Sequence, residues 1–259
     1  MELMRPIVRV GNSAGVILPK EWLNGKARVE LVEKPLNIKR DVLELLEPYL
    51  DDIQGIYLVG SYARGEQTDR SDVDVLVITD DVNKKIKQGK YEIIFIPKGK
   101  VEKALENSAF PIIPMLREAK SIMNNELIDN YRKYPLTKKN LHWAIELAKS
   151  AMKINRKSID LDRDWPSNCS DATAYSLVLR LRERYIVDCI RKNKLWSTKG
   201  LLALIKRIAS SLKAYEGYLR VKEDRKKDLE ELPIREAESL YNYIVKKLKD
   251  EERGLARKS

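Results

Sequence analysis

The stretch that most restricts how this chain can fold is GSYARGEQTDRSDVDVLVIT, residues 60–79. Its second half, VDVLVIT, has the β-branched and aliphatic composition of a strand buried on both faces. Yet Asp74 stands inside that run and Asp72 just before it. Residues two apart in a strand project from the same face, about 6–7 Å apart along the chain. Two carboxylates so placed repel, and burying even one without a partner costs on the order of several kcal/mol. No basic residue occupies the same face of the strand. The pattern therefore predicts a hard, oxygen-ligated divalent ion between them, Mg²⁺ by preference or Mn²⁺. A solvated turn before an edge strand is the bland alternative, and Val73, Val75, Leu76, Val77 and Ile78 speak against it.

Gly60 and Ser61 close the apolar run Ile53 to Val59 and open a short helical turn. Such a turn aims backbone N–H groups and a hydroxyl at whatever lies before it, an arrangement suited to phosphate. Arg64, on that turn, either neutralises phosphate oxygens or pairs with Glu66 or Asp69. A further acid, Glu92, interrupts the next apolar run, YEIIFI.

Gly60-Ser61, ten residues, Asp72-x-Asp74 and then an acid on the following strand together resemble the DNA polymerase β-type nucleotidyltransferase superfamily. The likeness is to its minimal and kanamycin-type branch, with the signature GSx₁₀DxD; Tyr62, Ala63, Arg64, Gly65 and Ser71 follow the same habit over about residues 38–107. The resemblance implies an enzyme that moves a nucleoside monophosphate from an NTP, ATP foremost, to a hydroxyl on a small molecule or a protein, releasing pyrophosphate. It implies a two-ion Mg²⁺ (or Mn²⁺) site at Asp72, Asp74 and Glu92, with Glu92 completing the second ion site or taking the proton. Gly60, Ser61 and Arg64 would bind the nucleotide.

The flanking pattern predicts an α/β unit with a mixed sheet. Ile38, Val42, Leu45, Leu46 and Leu50 share one helical face, strands are expected over 53–59, 73–79 and 91–96, and helices over 81–87 and 101–107. Before it, three short β runs at 7–10, 16–18 and 28–32 form a small β unit. About thirty-five residues cannot bury a core alone, so this unit is expected to dimerise or to pack on the next domain. Its VGNSAGVILPKEW resembles the hairpin core of the AbrB/MazE-type swapped-hairpin DNA-binding proteins, over roughly residues 5–33. That resemblance implies a homodimeric barrel with Arg5, Arg9 and Lys20 toward DNA phosphates. It sets up a second functional expectation, an antitoxin-type DNA-binding regulator whose transferase domain modifies or masks a partner protein.

From residue 118 onward the sequence reads as helical throughout, a bundle of four or five antiparallel helices for substrate or partner binding. The expected domains are therefore 1–35, 36–117 and 118–259. Of the net charge of +11, residues 119–259 carry +12 and residues 37–118 carry −3. A positive field draws nucleic acid or nucleotide phosphates, or simply keeps helices soluble; an RNA-end transferase is the reading that would use it. In the kanamycin-type branch a helical domain lends a glutamate base and a phosphate-binding lysine. Here Glu146, Lys149 and Lys153 share one helical face, with Lys149 the nucleotide-binding candidate and a surface ion pair the alternative. Arg180, Arg182, Arg184, Tyr215, Tyr218 and Arg220 supply groups able to stack a base or grip phosphate, though each also suits an amphipathic helix. His142, the single histidine, reads as a packed or surface residue.

Cys169 and Cys189 have no second Cys or His nearby, so neither a disulfide framework nor a zinc spacing is present. The absence of a long apolar run and of a leader-type start predicts a cytoplasmic protein without membrane contact. Three glutamines beside abundant Lys, Arg and Glu lean toward a thermophilic source.

Overall fold

The computed structural model describes residues 3–32, 36–110, 112–163, 168–224 and 231–256. The expected domain boundary at 35 lies outside the described residues, as do residues 164–167 of the Pro-containing stretch 162–171. The chain divides into two compact units, residues 1–41 and 42–259.

In the first unit β1 (Ile7–Val10) and β2 (Ser13–Val16) form an antiparallel hairpin whose closing pair is Val10 and Ser13. Gly11, at φ +58°, supplies the left-handed conformation that a two-residue hairpin turn demands. So tight a turn makes pairing begin at Ser13, three residues earlier than the apolar run had suggested. A single 3₁₀ turn, Lys20–Trp22, follows. The strand expected over 28–32 is not formed, since β-forming composition makes a strand only where backbone partners are available. None of residues 3–32 is buried, as the small size of the unit leads one to expect.

Helix α1 (Ile38–Leu46) starts with Asn37, whose side-chain oxygen accepts the Arg40 N–H, and continues as 3₁₀ turns through Asp52. Five strands follow in the sheet order β5-β6-β4-β3-β7: β3 (Ile53–Val59), β4 (Val73–Thr79), β5 (Lys84–Gln88), β6 (Tyr91–Pro97) and β7 (Lys120–Met123). Only β4 and β6 run parallel, so the sheet is mixed and the fold class is α+β. β4 lies at the centre, which is why VDVLVIT is apolar on both faces. A short helix, α2 (Gly60–Arg64), links β3 to the loop before β4, and α3 (Lys98–Asn107), α4 (Ile112–Glu118) and α5 (Asn125–Arg132) pack on one face. There Tyr57, Val59, Leu76 and Ile78 meet Val101, Leu105, Ile113, Leu116 and Ile128.

Two expectations are corrected. Residues 84–88 form an edge strand rather than a helix over 81–87, because the two-residue turn at Gly89 (φ +56°) returns the chain onto β6. Residues 120–123, assigned to the helical region, pair with β3 as the opposite edge strand. The sheet thus ends beyond the boundary expected at 117.

The remainder is helical: α6 (Lys138–Arg163), α7 (Asp171–Arg191), α8 (Thr198–Ala209), α9 (Lys213–Lys222) and α10 (Ile234–Ala256). Ser170 and Ser197 cap α7 and α8, their side-chain oxygens accepting the Thr173 and Gly200 N–H groups. Ile145, Met152, Leu177, Leu181, Ile205, Leu240 and Ile244 fill the core these helices share. Cys169 is buried and Cys189 partly so, and neither is disulfide-bonded. No described helix is long and apolar enough to cross a membrane.

Candidate active site

The sheet register builds the site. Asp74 lies directly across from Val59 on β3 and from Glu92 on β6, so the two acids seen in separate apolar runs face each other over one parallel ladder. Gly60 follows Val59 at φ +70°, and a Cβ there would come within 2.1 Å of the Asp74 carboxylate oxygen. The glycine is required both by its left-handed backbone and by the carboxylate resting on it. Ser61 sits half-buried on the first turn of α2, and its hydroxyl has no protein partner among the described residues.

Burial pushes the Asp74 carboxyl up to about 6, helped by the negative charges of Glu92, Asp72 and Glu118 and opposed by Lys222. Lys222 comes from the exposed end of α9, so the helical region places positive charge at the catalytic strands. Asp72 is exposed.

Glu92 is the exception to the expected arrangement. Its carboxylate pairs with Lys85 of the edge strand β5 at 2.5 Å. Among the described residues, no three acidic, His or Cys side chains converge closely enough to cage a metal ion. Glu92 is thus tied to Lys85, while its negative charge still acts on Asp74 more strongly than that of Asp72 does. The helix expected over 81–87 had concealed this lysine. What remains still fits Mg²⁺, which keeps several waters and binds through one or two carboxylates plus substrate phosphates. A carboxyl held high by burial and by like charges is one that a cation stabilises in its ionised form.

Arg64 does not point to open solvent. Its Nε donates to Glu66 at 2.9 Å and its terminal nitrogen to Glu118 at 2.5 Å. Of the two sequence readings, the carboxylate pairing is the one found. Glu118 is the residue sequence reasoning missed. Its side chain is 6% exposed, one oxygen holds Arg64, and the other accepts the Gly60 N–H at 2.7 Å. Burial raises its carboxyl above the ordinary range, against the opposing pull of Arg64. The available signal was an acid at the end of the apolar run IIPMLREA. Glu66 completes the chain of contacts by accepting the Thr198 N–H at 2.8 Å and the Thr198 hydroxyl at 3.0 Å, at the first turn of α8. Burial alone would raise Glu66, but the bonds from Arg64 and Thr198 hold it below its usual value.

Several sequence candidates are not brought to this site. Lys149 pairs with Glu146 at 3.1 Å and with Glu252 of α10, a surface bridge between two helices. Arg220 clamps Asp171 through two nitrogens at 2.6 and 2.8 Å, and Arg184 is buried against Glu251 at 2.8 Å. Tyr218 of α9 stacks on Tyr175 of α7 at 5.3 Å. These are packing contacts that hold the helices together. Arg182 and Tyr215 are different: the charge of Arg182 acts on Glu118 and on Tyr215, and that of Glu66 acts on Tyr215 too, which places both toward the catalytic strands. His142 is exposed.

Residues 37–127 match the family model described as a nucleotidyltransferase domain, a span that holds Gly60, Ser61, Asp72, Asp74, Glu92 and Glu118 and supports nucleotidyl transfer by this chain. Among curated proteins none matches. Similar solved structures include a nucleotidyltransferase-like protein from Exiguobacterium sibiricum, at 15% identity over 82% of this chain and 73% of that one, with a TM-score of 0.37. Another is the spectinomycin adenyltransferase of Enterococcus faecialis, crystallised with ATP and spectinomycin, at 17% identity over 81% and 97% of the two chains, with a TM-score of 0.42.

Proposed function

We propose that this chain is a Mg²⁺-dependent nucleotidyltransferase that moves a nucleoside monophosphate from an NTP, ATP foremost, to the hydroxyl of a small acceptor. The observation that carries the reading is Asp74 resting on Gly60 and facing Glu92 across the ladder, its carboxyl raised to about 6. Asp72 and Asp74 would hold the ion. When bound, the ion supplies positive charge at the α- and β-phosphates and acidifies the acceptor hydroxyl.

Around it the protein's own groups divide the work. The Ser61 hydroxyl, without a protein partner among the described residues, donates to a phosphate oxygen. Lys222 approaches from the helical region to offset the charge of the leaving pyrophosphate. The acceptor oxygen attacks the α-phosphorus in line, the bond to the bridging oxygen breaks, and the hydroxyl proton passes to a carboxylate, for which Glu92 is the candidate. Glu92 is itself steadied by its contact with Lys85. The test is incubation with each labelled NTP, Mg²⁺ and a panel of hydroxyl compounds, scored by pyrophosphate release. Release should vanish when Asp72→Asn and Asp74→Asn are combined; release that survives refutes the assignment.

A further inference from the structure

Glu118 belongs to no motif in the sequence, yet it makes the contact that fixes the Gly60–Ser61 turn. One of its oxygens takes the Gly60 N–H at 2.7 Å and the other takes Arg64 at 2.5 Å, from the two ends of α2. The five residues of α2 are too few to hold themselves in a helix, since nucleating one turn is unfavourable without outside contacts. Glu118 therefore closes a clamp around the turn, and Arg64 extends it through Glu66 to Thr198 in the helical region. The carboxylate of Asp74 lies against the same Gly60. A shift of the turn by even a fraction of an ångström would move Ser61 relative to Asp74, the two groups that must meet one triphosphate.

We infer that Glu118 is a positioning residue for the nucleotide: with Arg64 it sets the distance between the phosphate-facing turn and the metal-facing carboxylate. In this arrangement the arginine of the turn serves the fold of the site and leaves the phosphates to Ser61 and Lys222. Thr198 makes the helical region part of the same support, so the two halves of the second unit share one catalytic geometry. The inference rests on the functional reading above.

The experiment compares the full chain with Glu118→Gln, Glu118→Asp, Arg64→Ala and the Glu118→Gln/Arg64→Ala double variant. Binding of a nonhydrolysable ATP analogue with Mg²⁺ is followed by calorimetry, and KM and kcat by pyrophosphate release. Glu118→Gln places an amide against the Arg64 donors and should weaken nucleotide affinity by about tenfold or more, the scale of one charge-assisted hydrogen bond. The affinity for the acceptor should stay the same, Glu118→Asp should recover part of the loss, and the double variant should lose no more than the worse single one. Unchanged affinity in both Glu118→Gln and Arg64→Ala overturns the inference. So does tighter binding in Glu118→Gln, which would mean that the carboxylate occupies a place phosphate takes. Failure of the unsubstituted chain to bind any nucleotide would overturn the functional reading itself, and the inference with it.

Discussion

Replacing Asp74 by Asn separates the energetic character of the site from its chemistry. The folded protein holds this carboxyl at about 6 against an ordinary value of 3.8, chiefly because burial disfavours its charge. A rise of roughly two units, at about 1.4 kcal/mol per unit, corresponds to about 3 kcal/mol of disfavoured ionisation at neutral pH. The side chain is only half-buried, so solvent screening reduces this to about 1–2 kcal/mol. Because the folded-state value is raised, the stabilising contribution of the protonated form is complete below pH 3.8, falls as pH rises and is gone above about 6. Without added metal, Asp74→Asn should therefore be more stable than the unsubstituted protein at pH 7.5, by about 1–2 kcal/mol in urea unfolding. The advantage should shrink to nothing near pH 4, where Asp74 is already neutral. The same variant should lose nucleotidyl transfer. A variant that is no more stable at pH 7.5, or whose advantage persists at pH 4, would refute the argument that Asp74 is a charge the apo fold tolerates for the sake of a cation.

Gly60→Ala should cost about 1–2 kcal/mol from the left-handed backbone alone and should also abolish transfer, because its methyl group lands on the Asp74 carboxylate. The two effects are read by urea unfolding and by pyrophosphate release. In the helical region, Glu251→Ala leaves buried Arg184 without its charge partner and should destabilise by about 3–5 kcal/mol. Glu251→Leu combined with Arg184→Met should recover most of that loss in the same unfolding experiment. It would also remove Arg184 Nε and Glu251 Oε1, which find no partner among the described residues.

The parts of this molecule that were legible in the sequence are those whose cause is local. Val73 to Thr79 reads as a central strand because its composition suits burial on both faces, and its aspartates stand out against that background. Gly60 is visible because a positive φ and a close carboxylate leave no alternative to glycine. Short edge strands were not legible: KKIKQ and KSIM are polar or brief, and each is a strand only because β6 or β3 presents a free edge. Missing the first of these also hid Lys85, the ion-pair partner of Glu92. Glu118 was invisible for a related reason, since its partners lie 58 and 54 residues earlier in the chain. Lys149 was the converse case, helically well spaced from Glu146 but committed to Glu252 by the packing of the last helix.

The most direct test of a two-carboxylate site finished by substrate is a Mn²⁺ titration followed by electron paramagnetic resonance, with and without a nonhydrolysable ATP analogue. Mn²⁺ should bind weakly to the protein alone, much more tightly once the nucleotide is present, and weakly again in Asp74→Asn under either condition. Tight binding without nucleotide, or nucleotide-dependent binding that survives Asp74→Asn, would contradict the account.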